Sequence, residues 1–232
     1  MTTTTIPTDA GAMPAHLFTP STASAPRPGL VLVQEIFGVS DYVRARAADL
    51  AALGYVVCVP EFYWRLDPPP IDEGREDFLQ VAMGLAGQVD WEAAVADGVA
   101  ALQHLESLDA TSGKPGVAGF CWGGGLAFNI AAVADPWVLI SWYGSALPGL
   151  LDLAPQVTAP SLHHFGTDDA FIDSETVARI SSAVAGPHTQ FELYEGAGHA
   201  FDNPHPMFHL PAASAAAWRH TVDFLARELP VD

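Results

Sequence analysis

The apolar residues of this chain fall into two alternating kinds of run. Short stretches rich in β-branched and aromatic residues, 29–34 (GLVLVQ), 55–59 (YVVCV), 115–120 (PGVAGF), 137–142 (WVLISW), 160–165 (PSLHHF) and 189–194 (TQFELY), read as strands. Residues 15–18 (AHLF) are a further candidate on the N-terminal edge. Between these runs the spacing predicts helices over about 41–53, 91–108, 123–133, 174–184 and 212–228. Ser40 and Asp90 stand where N-caps belong, and Gly54 is a natural helix stop. The alternation predicts an α/β fold, a mostly parallel central sheet with helices on both faces. The strands are near-continuously apolar rather than alternating, which means sheet faces buried on both sides.

Two stretches break this rhythm. Residues 61–89 join a strand to the next long helix and greatly exceed an ordinary connection. Their PPP run forbids regular structure, while REDFLQVAMGL can form a short helix. The excursion leaves the carboxyl end of a strand, where open α/β sheets bind ligands. Residues 196–211 (GAGHAFDNPHPMFHLP) are rich in Gly, Pro and His just before the final helix. No internal repeat and no linker interrupts the chain, so one domain over 1–232 is expected.

Charge narrows the partners. The formal net charge is −18, with nine Lys and Arg residues of which only Lys114 is a lysine. That balance argues against nucleic acid and against an anionic membrane surface. The first ten residues have neither a positive nor an apolar segment of a secretory signal, and no apolar run reaches the length of about 18 that a span needs. A soluble, cytoplasmic protein is expected, with a monomer as the default. Cys58 and Cys121 belong to no regular cysteine framework and read as free thiols.

The sharpest chemical signal is Gly119–Phe120–Cys121–Trp122–Gly123, the G-x-nucleophile-x-G elbow with cysteine as nucleophile. A predicted strand runs into it and a predicted helix leaves it, the context the motif requires. A helix N-terminus favours thiolate, and the backbone N–H of Trp122 is then a candidate oxyanion donor. The nucleophile needs a base, and the base an orienting carboxylate. The loop before the last helix supplies His199, and the strand end SLHHF–GTDD supplies Asp168 or Asp169, one of which can instead cap the next helix. The spacing of His163, His164, His205, His209 and His220 matches no zinc pattern, so no metal is expected. No G-x-G-x-x-G run occurs, so no organic cofactor is implied.

Glu35 closes the strand GLVLVQ, where a carboxylate is expensive without a partner. It can face Cys121 and influence its protonation, or cap the next helix. The N–H of Ile36 is the second candidate oxyanion donor. Arg65 and Arg75 are the only Lys or Arg residues between 47 and 113, which makes them candidates for gripping an anionic substrate or simply solvated side chains. Phe37, Tyr63, Trp64, Trp122 and Tyr143 are candidates for an apolar pocket or for the core.

The segments VLVQEIFGVSDYVRARAADLAALGYVVCVPEFY, VAGFCWGGGLAF, HHFGTDDAFI and YEGAGHAF together resemble the dienelactone hydrolase (carboxymethylenebutenolidase) family of α/β-hydrolases. The resemblance spans essentially the whole chain in the same order. It implies Cys121 as nucleophile, Asp169 and His199 as its partners, and Glu35 as the glutamate that gates the thiol. It further implies a thiol protonated at rest, activated as substrate displaces Glu35, with the N–H groups of Ile36 and Trp122 holding the oxyanion. The implied reaction opens an enol-lactone such as dienelactone to a keto acid, maleylacetate, through a cysteine acyl-enzyme. Beside Phe37 and Trp64, expected from the residues to contact substrate, the resemblance points to two further positions. The family clamps a substrate carboxylate with two arginines; Arg75 matches the first loosely, and Asn203 occupies the second. Asn203 carries no charge, so the bidentate contact is lost. The competing expectations are a general small-ester or thioester hydrolase, discriminated by which ester turns over, and a thiol-bearing binding or redox-sensing protein, discriminated by alkylation of Cys121 without turnover.

Overall fold

The computed structural model describes residues 1–21 and 25–231. Eight strands form one sheet: β1 (Thr2–Thr8), β2 (Gly11–Phe18), β3 (Gly29–Val33), β4 (Val56–Pro60), β5 (Gly116–Phe120), β6 (Leu139–Trp142), β7 (Ser161–Gly166) and β8 (Thr189–Tyr194). Their spatial order is β1-β2-β4-β3-β5-β6-β7-β8. β1 pairs with β2, and β2 with β4, antiparallel; all other pairings are parallel. This is the α/β-hydrolase architecture. Every residue of β3 to β7 is buried, so both faces of the central sheet are covered, as their continuous apolar content requires.

The helices are α1 (Asp41–Ala52), α2 (Phe78–Ala86), α3 (Trp91–Glu106), α4 (Trp122–Ala134), α5 (Ser174–Val184) and α6 (Pro211–Glu228). Ser40 caps α1 by accepting from the N–H of Val43, and Asp90 caps α3 by accepting from that of Ala93. Gly54 follows α1 at φ +110°, a backbone angle that a side chain would strain. The predicted strand at 15–18 is the end of a longer β2, and the Thr-rich β1 before it was not expected. Only Ile6 of β1 is buried, so the strand lacks an apolar signature and is held by its pairing with β2.

The parallel strands bring their carboxyl ends to one edge of the sheet. The chain order reverses at β3, which has β4 on one side and β5 on the other, and such a reversal opens a crevice above the strand ends. Glu35 follows β3, Cys121 follows β5, Tyr143 follows β6 and Asp169 follows β7. His199 arrives from the loop after β8. The topology therefore gathers these residues from positions far apart in the chain.

Candidate active site

Cys121 occupies the single residue between β5 and α4 at φ +55°, ψ −119°. A non-glycine residue there costs on the order of 1–3 kcal/mol, which its surroundings must offset. The turn is possible because Gly119 and Gly123, two positions to either side, have no side chains. A Cβ on Gly119 would lie 2.1 Å from the carbonyl oxygen of Gly123, and one on Gly123 would lie 2.2 Å from that of Gln34. Tyr143 (φ +40°) and Ala200 (φ +56°) are also left-handed, so strain gathers around the thiol.

The Cys121 sulfur lies 3.1 Å from Nε2 of His199, whose Nδ1 lies 2.8 Å from Oδ2 of Asp169. Oδ1 of Asp169 accepts the backbone N–H groups of Phe171 (2.8 Å) and Ile172 (3.0 Å), so the carboxylate cannot turn away. Asp168 is exposed and faces no histidine, and the helix cap is Asp173, which accepts from the N–H of Thr176. Burial of His199 opposes its protonation, but the Cys121 sulfur and the Asp169 carboxylate outweigh it and raise its pKa from 6.5 to about 10. The geometry lets the Cys121 sulfur and the His199 imidazole pass a proton directly between them. Ser145 adds a hydroxyl 3.7 Å from the sulfur.

Glu35 is fully buried beside this pair. Burial pushes its pKa from 4.5 to about 8, although the hydrogen bond from Asn203 and the charge of His199 pull the other way. Asn203 Nδ2 donates to Oε2 at 2.8 Å, and the Tyr143 hydroxyl stands 3.5 Å from Oε1. The network continues from Tyr143 to the Tyr42 hydroxyl (3.1 Å), which donates to Asp202 at 2.6 Å. Asp202 is held by Arg46 through Nε at 2.7 Å and Nη2 at 2.5 Å, and by the Ser214 hydroxyl at 2.6 Å. One connected set of hydrogen bonds thus ties α1 and α6 to the loop that carries His199. The peptide joining Glu35 and Ile36 is also oriented, because the Glu35 carbonyl accepts from the N–H of Gly38 at 3.2 Å.

A cavity of about 240 Å³ opens over the sulfur. Glu35, Cys121, Ser145 and His199 form its floor side; Ile36, Phe37, Leu79, Met83, Ala86, Phe171, Ala200 and Phe208 complete the wall. Leu79, Met83 and Ala86 come from one face of α2, which is anchored by Phe78 and Ala82 packing on Phe37. An oriented thiol, base and carboxylate below an apolar cavity can carry out acyl transfer.

The dienelactone hydrolase family profile matches residues 13–229, nearly the entire chain. The chain belongs to the dienelactone hydrolase family. As a member of that family it is a carboxylic ester hydrolase of the α/β-hydrolase fold. It is 35% identical to the carboxymethylenebutenolidase of Pseudomonas putida over 208 residues, 89% of this chain and 88% of that protein. Carboxymethylenebutenolidase 1 of Cupriavidus pinatubonensis is 31% identical over 218 residues, 93% of this chain and 92% of that one. A crystal structure from Klebsiella pneumoniae, assigned as a dienelactone hydrolase, superposes with a TM-score of 0.85 at 26% identity, covering 97% of this chain and 98% of the other.

In this dienelactone hydrolase family member, three of the four residues expected to bind substrate, Arg75, Trp64 and Asn203, are otherwise engaged, as is the further candidate Arg65. Arg75 is exposed and pairs with Asp77 at 2.8 Å, two residues along the excursion, so it does not reach the cavity. Arg65 is likewise taken, by Asp97. Trp64 lines a neighbouring groove and donates from Nε1 to Asp97 at 2.9 Å. Asn203 is 1% exposed, with its amide nitrogen on Glu35 and its oxygen accepting from the His205 N–H at 2.9 Å. Only Phe37 of the four lies in the cavity wall. The Trp122 ring packs into the core against Phe62 and Trp91, and its backbone N–H opens α4. Sequence reasoning missed Ser145 and the α2 wall. The 79, 83, 86 spacing was the available signal for the wall, because it puts three apolar residues on one helical face. Among the described residues, no helix is long and apolar enough to cross a membrane.

Proposed function

We propose that the protein hydrolyses activated carboxylic esters, enol-lactones of the dienelactone type among them, through a Cys121 thioester. The Cys121 thiolate adds to the carbonyl carbon, and the backbone N–H groups of Ile36 and Trp122 take the oxyanion. The carbon–oxygen bond to the leaving enol breaks, and His199 gives that oxygen its proton. In a lactone both fragments stay joined, and the released enol becomes a ketone, so dienelactone would yield maleylacetate. Water, losing a proton to His199, then attacks the thioester. The carbon–sulfur bond breaks and the thiolate–imidazolium pair is restored. Asp169 holds the imidazole in the tautomer this cycle needs. Glu35 sits where it biases the thiol's charge, and as a mostly neutral acid near pH 7 it leaves the thiolate unopposed.

The observation that carries this reading is the continuous Cys121–His199–Asp169 line, with contacts of 3.1 and 2.8 Å, at the base of a cavity. A thiolate is also a good leaving group, which suits activated acyl groups such as enol esters better than alkyl esters. The apolar cavity wall supports a second reading, a general hydrolase of small esters. Steady-state hydrolysis of cis- and trans-dienelactone beside p-nitrophenyl acetate, by wild type and Cys121→Ala, separates the two. Dienelactone preferred over the acetate, with at least a ~10³-fold loss in the variant, supports the lactone reading. Turnover of the acetate alone supports the small-ester reading, and no turnover by folded wild type rejects both.

A further inference from the structure

The charges around the Cys121 cavity define the substrate more narrowly than the catalytic residues do. Its only ionisable lining groups are Glu35, Cys121 and His199. None of the nine Lys and Arg residues of the chain contributes to its wall. Several have their own partners: Arg46 on Asp202, Arg65 on Asp97, Arg75 on Asp77 and Lys114 on Asp135. Arg44 lines the adjacent groove on the far side of Phe37. His199, the one lining group that can carry positive charge, is already engaged by the Cys121 sulfur and by Asp169.

Of the uncharged side-chain donors, only the Ser145 hydroxyl, 3.7 Å from the Cys121 sulfur, lines the cavity. The Asn203 amide, the nearest side-chain donor to Glu35, donates to that carboxyl. The remaining wall is built from Ile36, Phe37, Leu79, Met83, Phe171 and Phe208, and Met83 and Phe171 are about half exposed at its rim (51% and 55%). A substrate carboxylate entering here would lose water, gain no cation and approach Glu35. An alkyl chain or an uncharged ring would instead bury apolar surface against the wall. The volume of about 240 Å³ lies below the roughly 300–1,000 Å³ of drug-sized sites, which limits the acyl group to a small one.

We infer that this cavity selects small, uncharged, apolar acyl groups and discriminates against acyl groups that carry a carboxylate. The inference deepens the acyl-transfer reading and rests on it for the word substrate, but the selectivity belongs to the cavity; because dienelactone would leave a carboxylate-bearing acyl chain on Cys121, it favours the small-ester reading over the lactone one. Two esters with one leaving group test it: p-nitrophenyl butyrate and mono-p-nitrophenyl succinate. The expected kcat/KM ratio favours the butyrate by at least ~30-fold, in the range set by leaving a charged group without a partner. A ratio within threefold of unity, or reversed, overturns the inference while leaving the Cys121 chemistry intact. Met83→Arg, at a half-exposed position that tolerates a long side chain, supplies a cation at the rim and should narrow the ratio at least fivefold. An unchanged ratio in a folded variant counts against the inference.

A second measurement needs no turnover. N-ethylmaleimide and maleimidoacetic acid share one electrophile and differ by a carboxylate. Alkylation of Cys121 by each, followed by intact mass and normalised to 2-mercaptoethanol, should favour the ethyl compound at least tenfold. Equal normalised rates overturn the inference. Preference for the ethyl compound with no hydrolysis of either ester rejects the acyl-transfer reading and keeps the cavity's selectivity.

Discussion

Replacing Glu35 by Gln turns the buried carboxyl into a measurable pH dependence of stability. Glu35 has no exposed surface, and burial raises its pKa from 4.5 to about 8. A raised folded-state pKa means that the native protein keeps a proton which the unfolded chain has released. Stability from this group is therefore complete below pH 4.5 and is lost as pH rises through about 8. The shift of 8 − 4.5, about 3.5 pH units, corresponds at 1.36 kcal/mol per unit to about 5 kcal/mol when both states are ionised. Gln has the shape of the neutral acid, can accept from Asn203 Nδ2, and does not titrate. The stability of Glu35→Gln relative to wild type should rise by about 4 kcal/mol between pH 5 and pH 8.5. Urea denaturation at pH 5, 7 and 8.5, with the m-value checked for constancy, reads this directly. A difference flat to within about 1 kcal/mol would mean that Glu35 ionises normally in the fold, and the neutral-acid description of the site would fall.

Other perturbations follow from single contacts. Asp169→Asn keeps an oxygen for the Phe171 and Ile172 N–H groups but loses the acceptor for His199 Nδ1, so kcat should fall roughly 10²–10⁴-fold with the fold intact by circular dichroism. A loss below tenfold in steady-state assays would remove Asp169 from its orienting role. His163 is fully buried between Phe128 and Phe191, with no hydrogen-bond partner found for either ring nitrogen, and burial lowers its pKa from 6.5 to about 4. The fold keeps this ring neutral while the unfolded chain takes a proton, so stability is lost as pH falls from 6.5 to 4. His163→Leu should be about 1–3 kcal/mol more stable at pH 7, with the gap widening by about 3 kcal/mol at pH 4; a pH-independent gap in urea titrations would refute this. Ser145→Ala removes the hydroxyl near the sulfur and should slow alkylation of Cys121 by iodoacetamide about threefold. An unchanged rate would show that the hydroxyl does not act on the sulfur.

Much of the scaffold was legible in the chain because its signals are local. Apolar runs of strand length, helical spacing, and the caps Ser40, Asp90 and Gly54 operate within a few residues of one another. The elbow was legible for the same reason, since Gly119 and Gly123 report a backbone crossing too tight for side chains. Even so, the Thr-rich β1 escaped notice, because its place depends on pairing with β2 and on the one inward residue, Ile6. The choice between Asp168 and Asp169 is equally non-local from the residues alone. Adjacent residues after a strand head in different directions, and the approach of His199, thirty positions away, decides which one matters.

The substrate side was the least legible, because the partner of a side chain lies wherever the sheet order and loop packing bring it. Arg75 carried the right charge for gripping an anion, but its short-range partner Asp77 holds it at the surface. Asn203 had the right position for a substrate ligand, yet its amide is spent on Glu35, 168 positions earlier in the chain. The sequence by itself determined the fold class and singled out Cys121 and His199, since each rests on a local pattern with narrow stereochemical tolerance. Tertiary structure brought to His199 the carboxylate, Asp169, that the family resemblance implied and the residues alone left open, and it decided which apolar faces wall the cavity. It also left the cavity without a cation, because those properties arise from distances between segments that no local pattern encodes.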